Sequence, residues 1–126
     1  MSYDVFFQGF TGGDAASGGG DAVRAMLAAH VTESEPSHSF LRIEVEDGGA
    51  DVYLSDDHMM VNHAGGTATW DLLVRAAAAA NWTILLPDGP TALTDERQRA
   101  ELPSELTDEA VVVTDGSELL QLIESI

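Results

Sequence analysis

The alternation between Phe40 and Glu46 restricts this chain more than any other stretch. In FLRIEVE, Leu41, Ile43 and Val45 fall on one side and Phe40, Arg42, Glu44 and Glu46 on the other. A period of two puts each set on its own face of a strand, one facing a core and one facing water. Asp47-Gly48-Gly49 follows, a sequence that tolerates the positive φ of a tight hairpin. Ala50–Ser55 resumes the pattern, with Val52 and Leu54 inward and Asp51, Tyr53 and Ser55 outward. Ser55-Asp56-Asp57 predicts a second turn and His58–His63 a third strand. Such a meander over 40–63 is stable only once its apolar face is covered, so the flanking segments must supply the cover.

Those segments carry the right periods. Tyr3–Phe10 is rich in aromatic and β-branched residues and predicts a buried first strand. TGGDAASGGGD, residues 11–21, predicts a flexible connection, with Asp21 capping a helix over Ala22–His30 whose face is Val23, Met26, Leu27 and His30. Residues 31–39 are polar and broken by Pro36, which predicts a loop. Gly65-Gly66 ends the meander, Thr67 or Thr69 caps a second helix, and Trp70, Leu73, Val74, Ala77 and Ala78 form its apolar face. The alanines at 76–80 allow close approach to a sheet, and Asn81 suits the left-handed residue after a helix. Trp82–Leu86 predicts a strand, and Thr94 caps a helix over Asp95–Leu102 that Pro103 stops. Ala110–Thr114 predicts a buried strand, which would cross over in parallel from Trp82–Leu86 if both share a sheet. A last helix, Glu118–Ile126, is capped by Ser117.

The predicted order is β-α-β-β-β-α-β-α-β-α. It reads as a single globular domain over 1–126 of the α+β (α/β-like) class, one mixed sheet of roughly five to six strands with helices mainly on one face. If 58–63 is loop, the front part becomes a ferredoxin-like βαββαβ core with a C-terminal αβα extension.

Charge is the strongest global property. Among 126 residues there are 22 acids, five arginines and no lysine, for a formal charge of −17. Nucleic acid and anionic membrane are repelled by such a field, because binding them relies on Lys and Arg. A basic protein is attracted and its encounter accelerated. The chain lacks cysteine, which removes disulfides, zinc thiolates and thiol nucleophiles. The N-terminal stretch has no basic region followed by an apolar run, and no window approaches a membrane span, so a cytoplasmic protein is expected.

Two groups of residues have chemical potential. Asp56, Asp57, His58 and His63 pair carboxylates with imidazoles, the residue types of a divalent metal site or of acid–base catalysis. Five apart on a regular strand, His58 and His63 face opposite ways, so a shared site needs a bulge. Metal binding by Asp56, Asp57 and His58 needs the acids to curl back over the ring. The second group is Glu44, Glu46 and Asp51, predicted to form an acidic ridge, with Arg42 as a local counter-ion. Like charges directly opposite one another destabilise a sheet, so a ridge of this kind fits a missing basic partner. The glycines at 12–20 match neither phosphate-binding pattern and no lysine follows them; no nucleophile elbow is present, and no cofactor motif occurs.

The reading is therefore a protein-binding module more than an enzyme, holding a basic protein on an acidic face. In size and sign of charge alone it resembles small acidic immunity-type inhibitors of cationic toxins. The alternatives are a metal-binding protein or enzyme centred on Asp56–His63 and a salt-adapted housekeeping domain. The apolar Leu119–Ile126 helix leaves open packing within the chain or across a homodimer.

Overall fold

The computed structural model describes residues 3–126; Met1 and Ser2, the first residues of the N-terminal stretch, lie outside them. The fold is α+β, as the periodicities require. Its strands are β1 (Val5–Gln8), β2 (Phe10–Thr11), β3 (Asp14–Ala15), β4 (Val31–Glu35), β5 (Phe40–Val45), β6 (Gly48–Leu54), β7 (His58–Gly65), β8 (Thr83–Leu85), β9 (Thr91–Leu93) and β10 (Val111–Val112). The helices are α1 (Gly20–Leu27), α2 (Thr67–Ala80), α3 (Ser104–Thr107) and α4 (Gly116–Glu124), with 3₁₀ turns at Ala28–His30, Pro36–His38 and Glu96–Glu101. Among the described residues, eight strands form one mixed sheet in the order β10-β9-β8-β1-β7-β6-β5-β4, and β2 and β3 form a separate hairpin. No helix among them is long and apolar enough to cross a membrane.

The meander forms with the predicted faces: Ile43, Val52, Leu54, Met59 and Val61 are buried, and β7 is a full strand. The condition for a ferredoxin-like core is therefore not met. Two strands of the main sheet exceed the expectation, as does the β2–β3 hairpin. Residues 31–35, predicted as loop, pair antiparallel with β5, and β9 pairs antiparallel with β8. Polar sequence hid the first because β4 is an edge with four of its five residues exposed; its register needs only backbone groups. The expected parallel crossover also moves. It joins β9 to β10, through a 3₁₀ turn and α3 rather than a single helix over Asp95–Leu102.

Helices α1, α2 and α4 cover one face of the sheet. Leu73, Ala76 and Ala77 of α2, Val23 and Leu27 of α1 and Leu119 of α4 join Val5, Phe7, Val52, Val61 and Ile84 in the main core. In the final helix Leu119 is buried in this core, Leu120, Leu122 and Ile123 pack partly buried against it, and Ile126 beyond the helix is half exposed. A second, smaller core of Leu93, Leu102 and Ala110, with Phe10, Leu106 and Val112, lies on the opposite side of β9 and β10. Alternation requires this, since Ala92 already faces the helices.

Helix starts are set by contacts that the local sequence did not reveal. Gly19, not Asp21, precedes α1 at φ 102, and a Cβ there would run into the Trp82 indole. Residues 11–21, predicted as a flexible connection, instead hold the β2–β3 hairpin and the start of α1, and the link between them is fixed by Trp82 Nε1 donating to the Gly18 carbonyl at 3.0 Å. Helix α2 follows Gly66 without a cap of its own; Asp47 serves it from the β5–β6 turn, accepting from Ala68 N at 3.2 Å. Asp115 rather than Ser117 caps α4, accepting from Glu118 N at 2.9 Å. Asn81 does take the left-handed conformation, at φ 58. The β5–β6 turn is Glu46-Asp47, and neither Gly48 nor Gly49 has positive φ. Gly48 is needed for a different reason: a Cβ would collide with the Gly65 carbonyl of β7.

Candidate functional site: the open face of the sheet

The Asp56–His63 segment does not gather its titratable groups. Ser55 Oγ organises the β6–β7 turn, accepting from Asp57 N at 3.3 Å and His58 N at 3.2 Å and lying 3.0 Å from His58 Nδ1. Asp57 turns to the glycine loop and accepts from Gly18 N at 2.6 Å. The Asp56 carbonyl accepts from Gly20 N at 2.9 Å. These bonds make the turn an anchor for residues 18–20. Among the described residues, no three His, Asp or Glu side chains are placed to hold a metal ion.

A bulge of the kind that a shared histidine site required does occur. The β6–β7 register shifts between Gly49 and Asp51, and His63 sits opposite the shift at φ 50. The extra residue turns His63 outward, where its Nδ1 lies 2.8 Å from Asp51 Oδ2. His58 is five residues away, about 16 Å along the strand. The bulge brings His63 to Asp51, whose other oxygen takes Arg42, and not to His58.

The acidic ridge is rearranged for a simple reason of register. Arg42, not a carboxylate, stands opposite Asp51, and Glu44 stands opposite Gly49. Arg42 Nη1 reaches Asp51 Oδ1 at 3.2 Å, confirming it as the local counter-ion. Glu44 accepts from Thr32 Oγ1 at 3.0 Å, and Glu46 is exposed in the turn. Glu33 of β4 is opposite Arg42 and Glu35 is opposite Phe40. Carboxylates therefore rim the β4–β5 end of the face instead of running across it.

Between them lies a feature invisible to local reading. Directly opposed residues link Leu85 to Phe6, Phe6 to Met60, Met60 to Tyr53 and Tyr53 to Phe40. The result is one apolar row across β8, β1, β7, β6 and β5, on the face away from α1, α2 and α4. Phe6 is 46% and Tyr53 37% exposed, and the Phe40 and Tyr53 rings meet at 5.3 Å between centroids, tilted 52° to one another. The same-face neighbours along each strand are polar: Asp4 and Gln8, His58 and Asn62, Asp51 and Ser55, Arg42, Thr83. The row is thus one residue wide and five strands long. Asn62 Oδ1 beside it is buried, and no hydrogen-bond partner reaches it among the described residues.

A polar cleft of about 480 Å³ opens beside Thr83 of β8, lined in part also by Phe10, Asn81, Asp95, Arg97 and Gln98. Its central group is Gln98, buried and fully used. Gln98 Nε2 donates to Asn81 Oδ1 and Thr94 Oγ1, each at 3.0 Å, and Oε1 accepts from Thr94 N at 2.8 Å. Asp95, rather than Thr94, caps the 3₁₀ turn. Hydrogen bonds from the Arg97 side chain and backbone hold the Asp95 carboxyl down at about 2. Cleft groups already paired in this way form a structural joint between α2, β8 and the turn.

No protein-family model, curated protein or solved structure matches this chain.

Proposed function

We propose that this chain is a non-enzymatic protein-binding module that holds a basic protein on the open face of its sheet. The observation that carries the reading is the uncovered apolar row from Leu85 to Phe40 with Glu33, Glu35 and Glu44 at its rim. Half-exposed aromatics in line supply the desolvated centre of an interface, and the charged rim supplies steering and choice of partner. The charge is not consumed internally. Each of the five arginines already faces an acid: Arg24 with Asp21, Arg42 with Asp51, Arg75 with Asp71, Arg97 with Asp95 and Arg99 with Glu96. His38 stands 3.4 Å from Glu35 and His63 2.8 Å from Asp51, and five arginines against 22 acids still leave a formal charge of −17, which supports a cationic partner.

The test is retention from the host's own lysate on the immobilised chain at low and at high salt. A cationic protein is expected to be held at low salt and released at high salt, where a Debye length of ~3 Å at 1 M screens the rim. The Phe6→Thr/Tyr53→Thr double variant, which keeps β propensity, should fold and lose it. Retention of no cationic protein at low salt ends the reading, and so does equal retention by the variant.

A further inference from the structure

Resting on that reading, we infer that the element of the basic partner seated on this face is an amphipathic α-helix lying across the strands, along the row Leu85–Phe6–Met60–Tyr53–Phe40. Three magnitudes point to it. The row crosses four strand spacings of ~4.8 Å, about 19 Å, the length of a helix of roughly 13 residues. A helix presents one apolar position per ~5.4 Å turn, so it drifts from the strand spacing by only about 0.6 Å per strand. An extended segment presents a same-side residue every ~6.6 Å and is out of phase by almost 2 Å at each step. The helix also keeps its backbone hydrogen bonds internal, whereas a lone strand pressed on a sheet face leaves half its amides without partners.

The direction follows from the width of the row. A helix laid along the strands would meet Asp4 and Gln8, or Asp51 and Ser55, beside each apolar residue. Only across the strands does its apolar stripe meet an apolar stripe. One flank of the row carries Asn62 with its unpartnered Oδ1, the Arg42–Asp51 pair and Glu33, while Glu35 closes the β4 end of the row itself opposite Phe40; the other flank carries Gln8, His58 and Ser55. Lys or Arg on one side of the helix would donate to Asn62 and pair with Glu33, and at its β4 end would pair with Glu35. A second copy of this chain is disfavoured as occupant, because each would bring a charge of −17.

The experiment uses the full chain and three synthetic peptides of helix-spanning length. One is Leu/Lys with Leu every third or fourth residue; one has the same composition in strict alternation; one is the helical pattern with Glu in place of Lys. The readouts are the Met60 methyl and the Phe6, Phe40 and Tyr53 ring signals by NMR, peptide helicity by circular dichroism, and sedimentation of the chain alone. The expected result is that the basic helical peptide shifts these signals, gains helicity and loses affinity about tenfold or more against Met60→Thr, as a residue central to an interface should. Equal or tighter binding by the alternating basic peptide overturns the helical occupant and leaves the basic-partner reading standing. If neither basic peptide shifts the row, or the acidic peptide does so as well as the basic one, both fail. Dimerisation of the chain alone through this row also overturns both.

Discussion

Replacing Gln98 by Ala should destabilise the protein by about 3 kcal/mol, one of the largest losses available to a polar residue in this chain. The magnitude follows from what the amide serves. Oε1 takes the Thr94 and Asp95 amides at 2.8 and 3.3 Å, and Nε2 serves Asn81 Oδ1 and Thr94 Oγ1; the contact with the Trp82 carbonyl, at 3.5 Å, is too long to count. Truncation leaves two backbone donors and two side-chain oxygens without their partner, at roughly 1–3 kcal/mol for each group left unsatisfied. Water entering from the adjoining cleft recovers part of this, because Asn81 is exposed and its amide re-solvates. A net loss of about 3 kcal/mol corresponds to a fall in Tm of roughly 11 °C for a chain of this length. Urea unfolding measures it, and hydrogen exchange at the Thr94 and Asp95 amides locates it. Gln98→Met decides the cause: it fills the volume without the hydrogen bonds, so most of the loss should persist. A loss below about 0.5 kcal/mol for Gln98→Ala, or full recovery with Met, would refute the hydrogen-bond argument.

The remaining predictions concern charge and the β6–β7 turn. Asp57→Ala should cost about 1 kcal/mol and speed exchange of the Gly18 amide, while His58→Ala should stay within about 0.5 kcal/mol; the reverse order, by urea titration, would sink the anchoring role of Asp57. The Asp95 carboxyl is depressed to about 2 in the fold, so it favours the folded state above the unfolded pKa near ~3.9 and loses that contribution as pH falls toward 2. Asp95→Asn should therefore flatten the stability profile between about pH 4 and pH 2 and leave its shape at neutral pH unchanged; an unaltered acid limb would contradict this. Screening the self-repulsion of −17 should raise Tm steadily up to about 1 M KCl. A flat or falling curve would show that the acids are too well spaced to repel.

What was legible in the sequence depended on how local its cause was. The meander, its faces and the α2 helix with its Asn81 terminus rest on periods of 2 and 3.6, and these need no knowledge of neighbours. The failures share another physics. Strand β4 is polar because it is an edge, and backbone pairing alone makes it a strand. The glycines at 18–20 read as flexibility until Trp82 and the Ser55–Asp56 backbone are placed against them. Local sequence offers only the nearest suitable side chain as a cap, yet the Ala68 amide at the start of α2 is served by Asp47, 21 residues away.

The apolar row shows the same limit at the level of function. Phe6, Met60, Tyr53 and Phe40 each stand at the outward position of an alternating strand, where a single apolar residue among polar ones signals nothing. They become a surface only because β1 inserts between β7 and β8, a pairing that joins residues near position 6 to residues near 60 and 85. Shifting β1 by one residue against β7 would turn Phe6 inward and the buried Val5 and Phe7 outward, which breaks the row and exposes core side chains. Packing of the helix-covered face, through Val5 and Phe7, therefore fixes the register on which the open face depends. A core substitution such as Phe7→Ala should on this argument do more than destabilise. By loosening β1 it should disperse the row and weaken binding of a basic helical peptide under conditions where most molecules remain folded. Unchanged peptide affinity in a folded but destabilised Phe7→Ala protein would separate the two faces and remove the coupling.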